Sequence, residues 1–258
     1  MKFTSLFTAS AALLMSSAAV NAAQVAALVG NDTIATVDTA QKKATGSVKV
    51  TGISGALVGI DVRPADGLLY GLVDDGTVVT IAKDGKATMK SKLDTMIAKG
   101  VPVTVDFNPV ADRLRVMGAD GMSLRANVDD GKVTKDGDHK YAETDMHKGE
   151  KPNIVAGAYT NSVKGTKETA LFNIDGTIGA LVKQAPPNDG ILGAVGKLGF
   201  KPTSVAFDIW SDGNGKNEAW LMSGDTLYSV DLATGKATEA AKISGVSGTV
   251  KDIAILGM

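Results

Sequence analysis

The sequence predicts an all-β fold, a propeller of about five four-stranded blades, on three observations. An apolar phrase ending in aspartate recurs along the chain, and a second alternating phrase follows each copy at a period of about 45 to 50 residues. The connectors carry hairpin residues such as Asp-Gly. Composition agrees: 30 of the 258 residues are glycine and aromatic residues make up only 5%, a balance that suits many short strands and tight turns.

The first phrase reads Leu57-Val-Gly-Ile-Asp61, Val103-Thr-Val-Asp106 and Val205-Ala-Phe-Asp208, with a partial copy at Val250 to Ile255. Ile154 to Asn161 holds the equivalent place without the aspartate. The second phrase appears at Ile34 to Asp38, Val78 to Ile81, Leu124 to Asp129, Leu171 to Asp175 and Leu227 to Asp231. The second unit is the clearest, with expected strands at Leu57 to Val62, Leu68 to Leu72, Thr77 to Ile81 and Ala87 to Lys90. Period-two alternation marks these as strands. Ser91 to Lys99 is the best helix candidate, and it is short.

Leu28-Val-Gly begins mid-unit, and Val250 to Leu256 supplies a first-strand phrase at the far end. The two ends are therefore expected to complete one blade together, which closes the ring and removes a sheet edge. The fourth unit is irregular around Lys164-Gly-Thr-Lys167, so a six-bladed count or an open sandwich stays open.

Met1-Lys2, the uncharged apolar run Phe3 to Ala19, and Val20-Asn21-Ala22 form the three parts of a secretory signal peptide. The expectation is a leader at 1–22, cleavage near Ala22, and a single propeller domain at 23–258, periplasmic or secreted, with no membrane span. The 27 Lys+Arg against 28 Asp+Glu give no electrostatic reason to expect a nucleic-acid partner. The lack of cysteine excludes a disulfide framework, a thiolate nucleophile and a thiolate metal site.

Several longer phrases stand out: Leu57-Val-Gly-Ile-Asp-Val-Arg-Pro64 with Leu69-Tyr-Gly71, Val105 to Arg115, Pro152-Asn-Ile-Val155 with Ala158-Tyr-Thr-Asn161, Gln184 to Gly190, and Leu227 to Leu232. Together they resemble a family of exported bacterial proteins known as DUF4394, a domain of unknown function. The resemblance covers nearly the whole chain after the leader. It implies a repetitive β architecture and carries no reaction, cofactor or substrate.

Asp61, Asp106 and Asp208 suit a calcium ring in chemistry, but aspartate after an inner strand and before a turn more simply bonds backbone N–H groups. That structural reading is the preferred one. His139 and His147 with Glu143 and Asp145 have a spacing that divalent metals accept, within a polar stretch that reads as a solvated loop. No nucleophile elbow or phosphate-cradling loop is present. No catalytic residue, cofactor or metal is therefore assigned, with calcium or another divalent ion the nearest candidate. Trp210 and Trp220 read as the cover of a blade.

In a propeller the loops between units share a face with the loops between second and third strands, and long loops on a rigid scaffold are where binding resides. The two longest inter-unit loops are expected at Asp136 to Asn153 and Gln184 to Lys201, contributing His147, Asn153, Asn188 and Asp189. Arg113 and Arg115, with Tyr159 and Asn161, are polar exceptions inside apolar strands. The arginines either make surface ion pairs or read a carboxylate or sugar hydroxyls. The expected function is an exported binding module, a monomer, for a small polar molecule or an envelope protein. A metal-assisted, lactonase-like hydrolase and a structural envelope protein are the alternatives.

Overall fold

A computed structural model describes residues 23–257; the expected leader at 1–22 lies outside the described residues. The chain begins with β1 (Gln24–Val29), β2 (Thr33–Asp38) and β3 (Lys43–Lys49). Blade 2 follows as β4 (Leu57–Val62), β5 (Leu69–Val73), β6 (Thr77–Ile81) and β7 (Ala87–Lys92). Blade 3 is β8 (Val103–Asn108), β9 (Arg113–Gly118), β10 (Ser123–Ala126) and β11 (Val133–Lys135). A short β12 (Lys140–Tyr141) precedes blade 4, which is β13 (Ile154–Tyr159), β14 (Leu171–Asp175), β15 (Ala180–Gln184) and β16 (Ile191–Lys197). Blade 5 is β17 (Ala206–Ser211), β18 (Asn217–Ser223), β19 (Thr226–Val230) and β20 (Ala237–Lys242), and the chain closes with β21 (Val250–Gly257).

The five sheets form a five-bladed β-propeller, and β21 returns to pair antiparallel with β1 as the inner strand of blade 1. Leu28 lies opposite Asp252 and Ala26 opposite Ala254 in that register, so the expected closure of the ring by the two termini is correct. Among the described residues no helix is long and apolar enough to cross a membrane.

Each blade stands between two others, so both faces of its inner strands are buried. The burial resolves into five apolar clusters, one per junction, such as Leu28 and Ile34 against Leu57 and Val79 between blades 1 and 2. Outer strands are mostly exposed, as β3 is along nearly its whole length. The junction between blades 3 and 4 has a small cluster, Met117 with Tyr141, Ile154, Tyr159, Leu171, Val182 and Leu192. Buried polar side chains, among them Arg115, Ser123, Asn173 and Gln184, take up space beside it.

Three sequence expectations need correction. Ser91 to Lys99 is not a helix: its first two residues end β7, and Leu93 and Ile97 are buried between blades 2 and 3. The Leu93 N–H bonds Gly76 O within blade 2 and the Asp94 N–H bonds Gly131 O of blade 3, which spends elsewhere the donors that a helix would need along itself. The stretch Gln184 to Lys201 is not one inter-unit loop, because β16 lies inside it. That strand, Ile-Leu-Gly-Ala-Val-Gly-Lys, is only half-buried on both faces and shows no clear alternation. Asp136 to Asn153 does cross between blades, but it also supplies β12, which pairs parallel to β16 as a fifth strand on the outer edge of blade 4.

Candidate functional site

The five inner strands run the same way around the axis, and their first residues frame one end of the central channel. Val58, Val103, Val155, Val205 and Val250, one from each blade, line a cavity of about 800 Å³ there. Four of these valines stand three residues before the aspartate position of their repeat, and Val250 stands two before Asp252. The rim comes from segments entering the inner strands (Lys99, Asn153, Thr203, Ser204 and Thr249), from Lys251 at the start of β21, and from the β5–β6 and β14–β15 turns (Asp74 and Gly176). Inter-unit and second-to-third-strand loops thus share this face, as propeller topology requires. Lys99 Nζ lies 3.4 Å from Asp74 Oδ2, and Lys251 Nζ donates to Asn31 Oδ1 at 2.6 Å. Each ammonium carries three donors and keeps some for a ligand.

Farther along the same strands the axis is acidic. Asp61, Asp106, Asp208 and Asp252 are all buried, within the inner strands rather than between a strand and a turn. The expectation that they bond backbone N–H groups is correct, but most of those bonds reach the next blade. The Phe107 N–H donates to Asp61 Oδ2 (2.7 Å) and the Tyr159 N–H to Asp106 Oδ1 (3.0 Å). Likewise the Ile255 N–H donates to Asp208 Oδ2 (2.7 Å) and the Ile60 N–H to Asp252 Oδ2 (3.0 Å). The second oxygens of Asp61, Asp208 and Asp252 accept from Val62, Ile209 and Ile253 of their own strands. In blade 4 the position is Ala158, and this link is missing.

Burial pushes all four carboxyls upward, most clearly Asp61, Asp106 and Asp252, where neighbouring aspartates add to the effect; Asp208 is pushed up to about 6. Asp61, Asp106 and Asp208 each place one oxygen within 4.8 Å of the others. Among the described residues this is the single group of three or more His, Cys, Asp or Glu whose ligand atoms converge. Oxygens alone suit a hard cation, but Asp61 and Asp208 have both oxygens bound to backbone N–H groups. We read the group as a hydrogen-bonded carboxylate cluster and not as a ligand set.

The residues singled out from sequence are dispersed. Asn153 lies on the channel rim. Arg115, Tyr159 and Asn188 come together away from it: Arg115 is fully buried and donates to Tyr159 Oη (3.1 Å), Ser123 Oγ (3.0 Å), Asn188 Oδ1 (2.9 Å) and the Asp136 carboxylate. Arg125 also bonds Asp136. This is a buried clamp between blades 3 and 4 rather than a surface ion pair, and its donors are spent inside the protein. Ser123, Asp136 and Arg125 were missed because each sits in a locally ordinary strand or loop.

Arg113 bonds the carbonyls of Ala111 and Asp112. Asn161 exchanges hydrogen bonds with Asn217. Asp189 is exposed at the end of the 3-10 turn Pro187–Asp189. His147 faces Glu150 and the Tyr141 ring, whereas His139 is buried, with both ring nitrogens lacking a hydrogen-bond partner. The solvated-loop reading therefore fails for His139. Burial, reinforced by the Arg115 charge, lowers its pKa to about 4. Trp220 is buried with Trp210 packed against its cluster, which is the blade-covering role expected of the pair.

With this geometry in place, the family description "domain of unknown function (DUF4394)" matches residues 33–254. The chain belongs to the DUF4394 family. No curated protein matches it. A protein of unknown function from Bacteroides thetaiotaomicron shares the fold at a TM-score of 0.55 and 15% identity, over 93% of this chain and 66% of that one. Another of unknown function, from Bacteroides caccae, aligns at a TM-score of 0.46 and 15% identity, over 87% and 76%. A virginiamycin B lyase from Staphylococcus aureus aligns at 0.44 and 13%, over 88% and 72%.

Proposed function

We propose that this DUF4394 protein is an exported, monomeric binding module that holds one small amphipathic molecule in the mouth of its central channel. The cavity of about 800 Å³ floored by one valine from each blade carries this reading, since ligand pockets of roughly 300–1,000 Å³ are mostly apolar with a few placed polar groups. The valines suit an apolar body. Lys99, Lys251 and the hydroxyls of Thr203, Ser204 and Thr249 suit one anionic head at the rim. A concave site of this size favours a small molecule over a protein surface. The signal-peptide pattern in the sequence of residues 1–22 supports export.

A metal-assisted hydrolase would draw on Asp61, Asp106 and Asp208. Those groups are buried and wrapped in backbone N–H bonds, and the axis beside them is closely packed. A Cβ on Gly59 would lie 2.6 Å from Val105 Cγ2 and 3.0 Å from Asp252 Oδ2. With both oxygens of Asp61 and of Asp208 already accepting backbone N–H groups, the binding reading is the better supported.

The test is a fluorescence titration with 8-anilinonaphthalene-1-sulfonate, which has an apolar body and one anionic head. One saturable site is expected, abolished in Val103→Trp. Lys99→Ala or Lys251→Ala each removes one charge-assisted contact of about 1 kcal/mol, roughly fivefold in Kd. Unsaturable binding, or saturable binding indifferent to Val103→Trp in a folded variant, overturns the proposal.

A further inference from the structure

We propose that the axial carboxyls Asp61, Asp106 and Asp252, packed with Asp208, keep protons at neutral pH, so that the ring of blades is a proton-dependent lock that weakens as the pH rises. The inference stands on position and packing and is independent of the ligand reading. Three of the four bring oxygens within 4.8 Å of one another in a buried site, where like charges repel far more strongly than in water.

The surroundings supply no free counter-charge. On the inner strands the other titratable or charged side chains are Tyr159, whose N–H binds Asp106, and Lys251, which is exposed at the rim. Across from the aspartates on the second strands stand Tyr70, Arg115, Trp220 and Leu28. Arg115 is the one cation among them, and its guanidinium is held by Asp136, Ser123, Asn188 and Tyr159. Arg63, just beyond β4, is held by Asp112, Asp129, Asp66 and the Tyr70 hydroxyl.

Four fully ionised carboxylates would leave a concentrated negative charge where the inner strands meet. Each aspartate bridges its blade to the next through a backbone N–H, so that charge falls on four of the five junctions. Burial raises these carboxyls above their unfolded values, outweighing the N–H bonds that favour ionisation. The folded state then holds more protons than the unfolded state. Stability is greatest near and below the unfolded carboxyl range, and it falls as the pH rises through the folded values.

Infrared spectra of the purified protein test this directly, since a protonated carboxyl has a C=O stretch that shifts on deuteration. The expected result is such a band at pH 7 that shrinks by pH 9 and is reduced in Asp106→Asn and Asp61→Asn. Thermal melts are expected to show a lower Tm at pH 8 than at pH 5, with a smaller drop in whichever of these variants folds. If no band is present at pH 7, the carboxylates are ionised and the proposal fails. It fails equally if dialysis against EDTA at pH 8 releases a stoichiometric divalent cation and lowers Tm, because a cation would then do the neutralising.

Discussion

Arg63 and Asp112 form a two-point ion pair across the gap between blades 2 and 3, with Nε to Oδ1 at 2.8 Å and Nη2 to Oδ2 at 2.6 Å. The arginine follows β4, its side chain only 8% exposed, and it also bonds Asp129 and the Tyr70 hydroxyl. One side chain at the end of an inner strand thereby fastens a neighbouring blade at two turns.

Arg63→Ala is expected to cost about 2 kcal/mol, less than the loss of a fully buried pair because Asp112 and Asp129 keep contact with water. Arg63→Lys should recover little, since an ammonium cannot reproduce the planar fork. Urea denaturation of the two variants beside wild type checks both statements.

Gly59→Ala should destabilise by about 2 kcal/mol through overpacking, because its Cβ would meet Val105 Cγ2. Val105→Ala in the same chain should relieve much of that loss. A double-mutant cycle from thermal melts reads the coupling; additive single effects would show that the two residues do not press on each other.

His139 sets an acid limit. Its folded pKa of about 4 lies below the ordinary 6.5, with burial the main cause and Arg115 the second, opposed by Asp138 and Asp120. The folded state therefore binds fewer protons, and stability is lost as the pH falls from 6.5 through 4, by roughly 3 kcal/mol at about 1.36 kcal/mol per pH unit. Because neither ring nitrogen has a partner, His139→Phe should change stability little at pH 7 and extend it at pH 4. With the axial aspartates acting in the opposite sense, wild-type stability should peak in mildly acidic solution.

Export predicts a mature chain beginning at Ala23. Intact-mass measurement of protein recovered from an expressing Gram-negative host reads the site directly; a retained Met1 terminus in the exported fraction would contradict it.

The propeller was legible because inner strands repeat. Each must supply apolar residues to two neighbouring junctions, and that demand left the same phrase in unit after unit, with β4 and β6 bounded as expected. Outer strands face water and carry no such constraint, which hid β16 and β12. The place of Asn153 on the channel rim was legible from loop position alone. The valine collar was not: a valine at the start of an apolar strand reads as core until the ring brings five together. The buried clamp at Arg115 was half visible, since its arginine, tyrosine and asparagine stood out. Asp136 lies in a segment whose charge suggested solvent, and its burial depends on contacts between blades 3 and 4 that sequence periodicity does not encode.

Ligand chemistry is expected to belong to the channel mouth. Methyl-labelled valine NMR during an octanoate titration tests it most directly. Saturable shifts confined to Val58, Val103, Val155, Val205 and Val250 are predicted. Saturable shifts at valines remote from the axis, such as Val48 or Val182, with the five collar methyls unmoved, would contradict it.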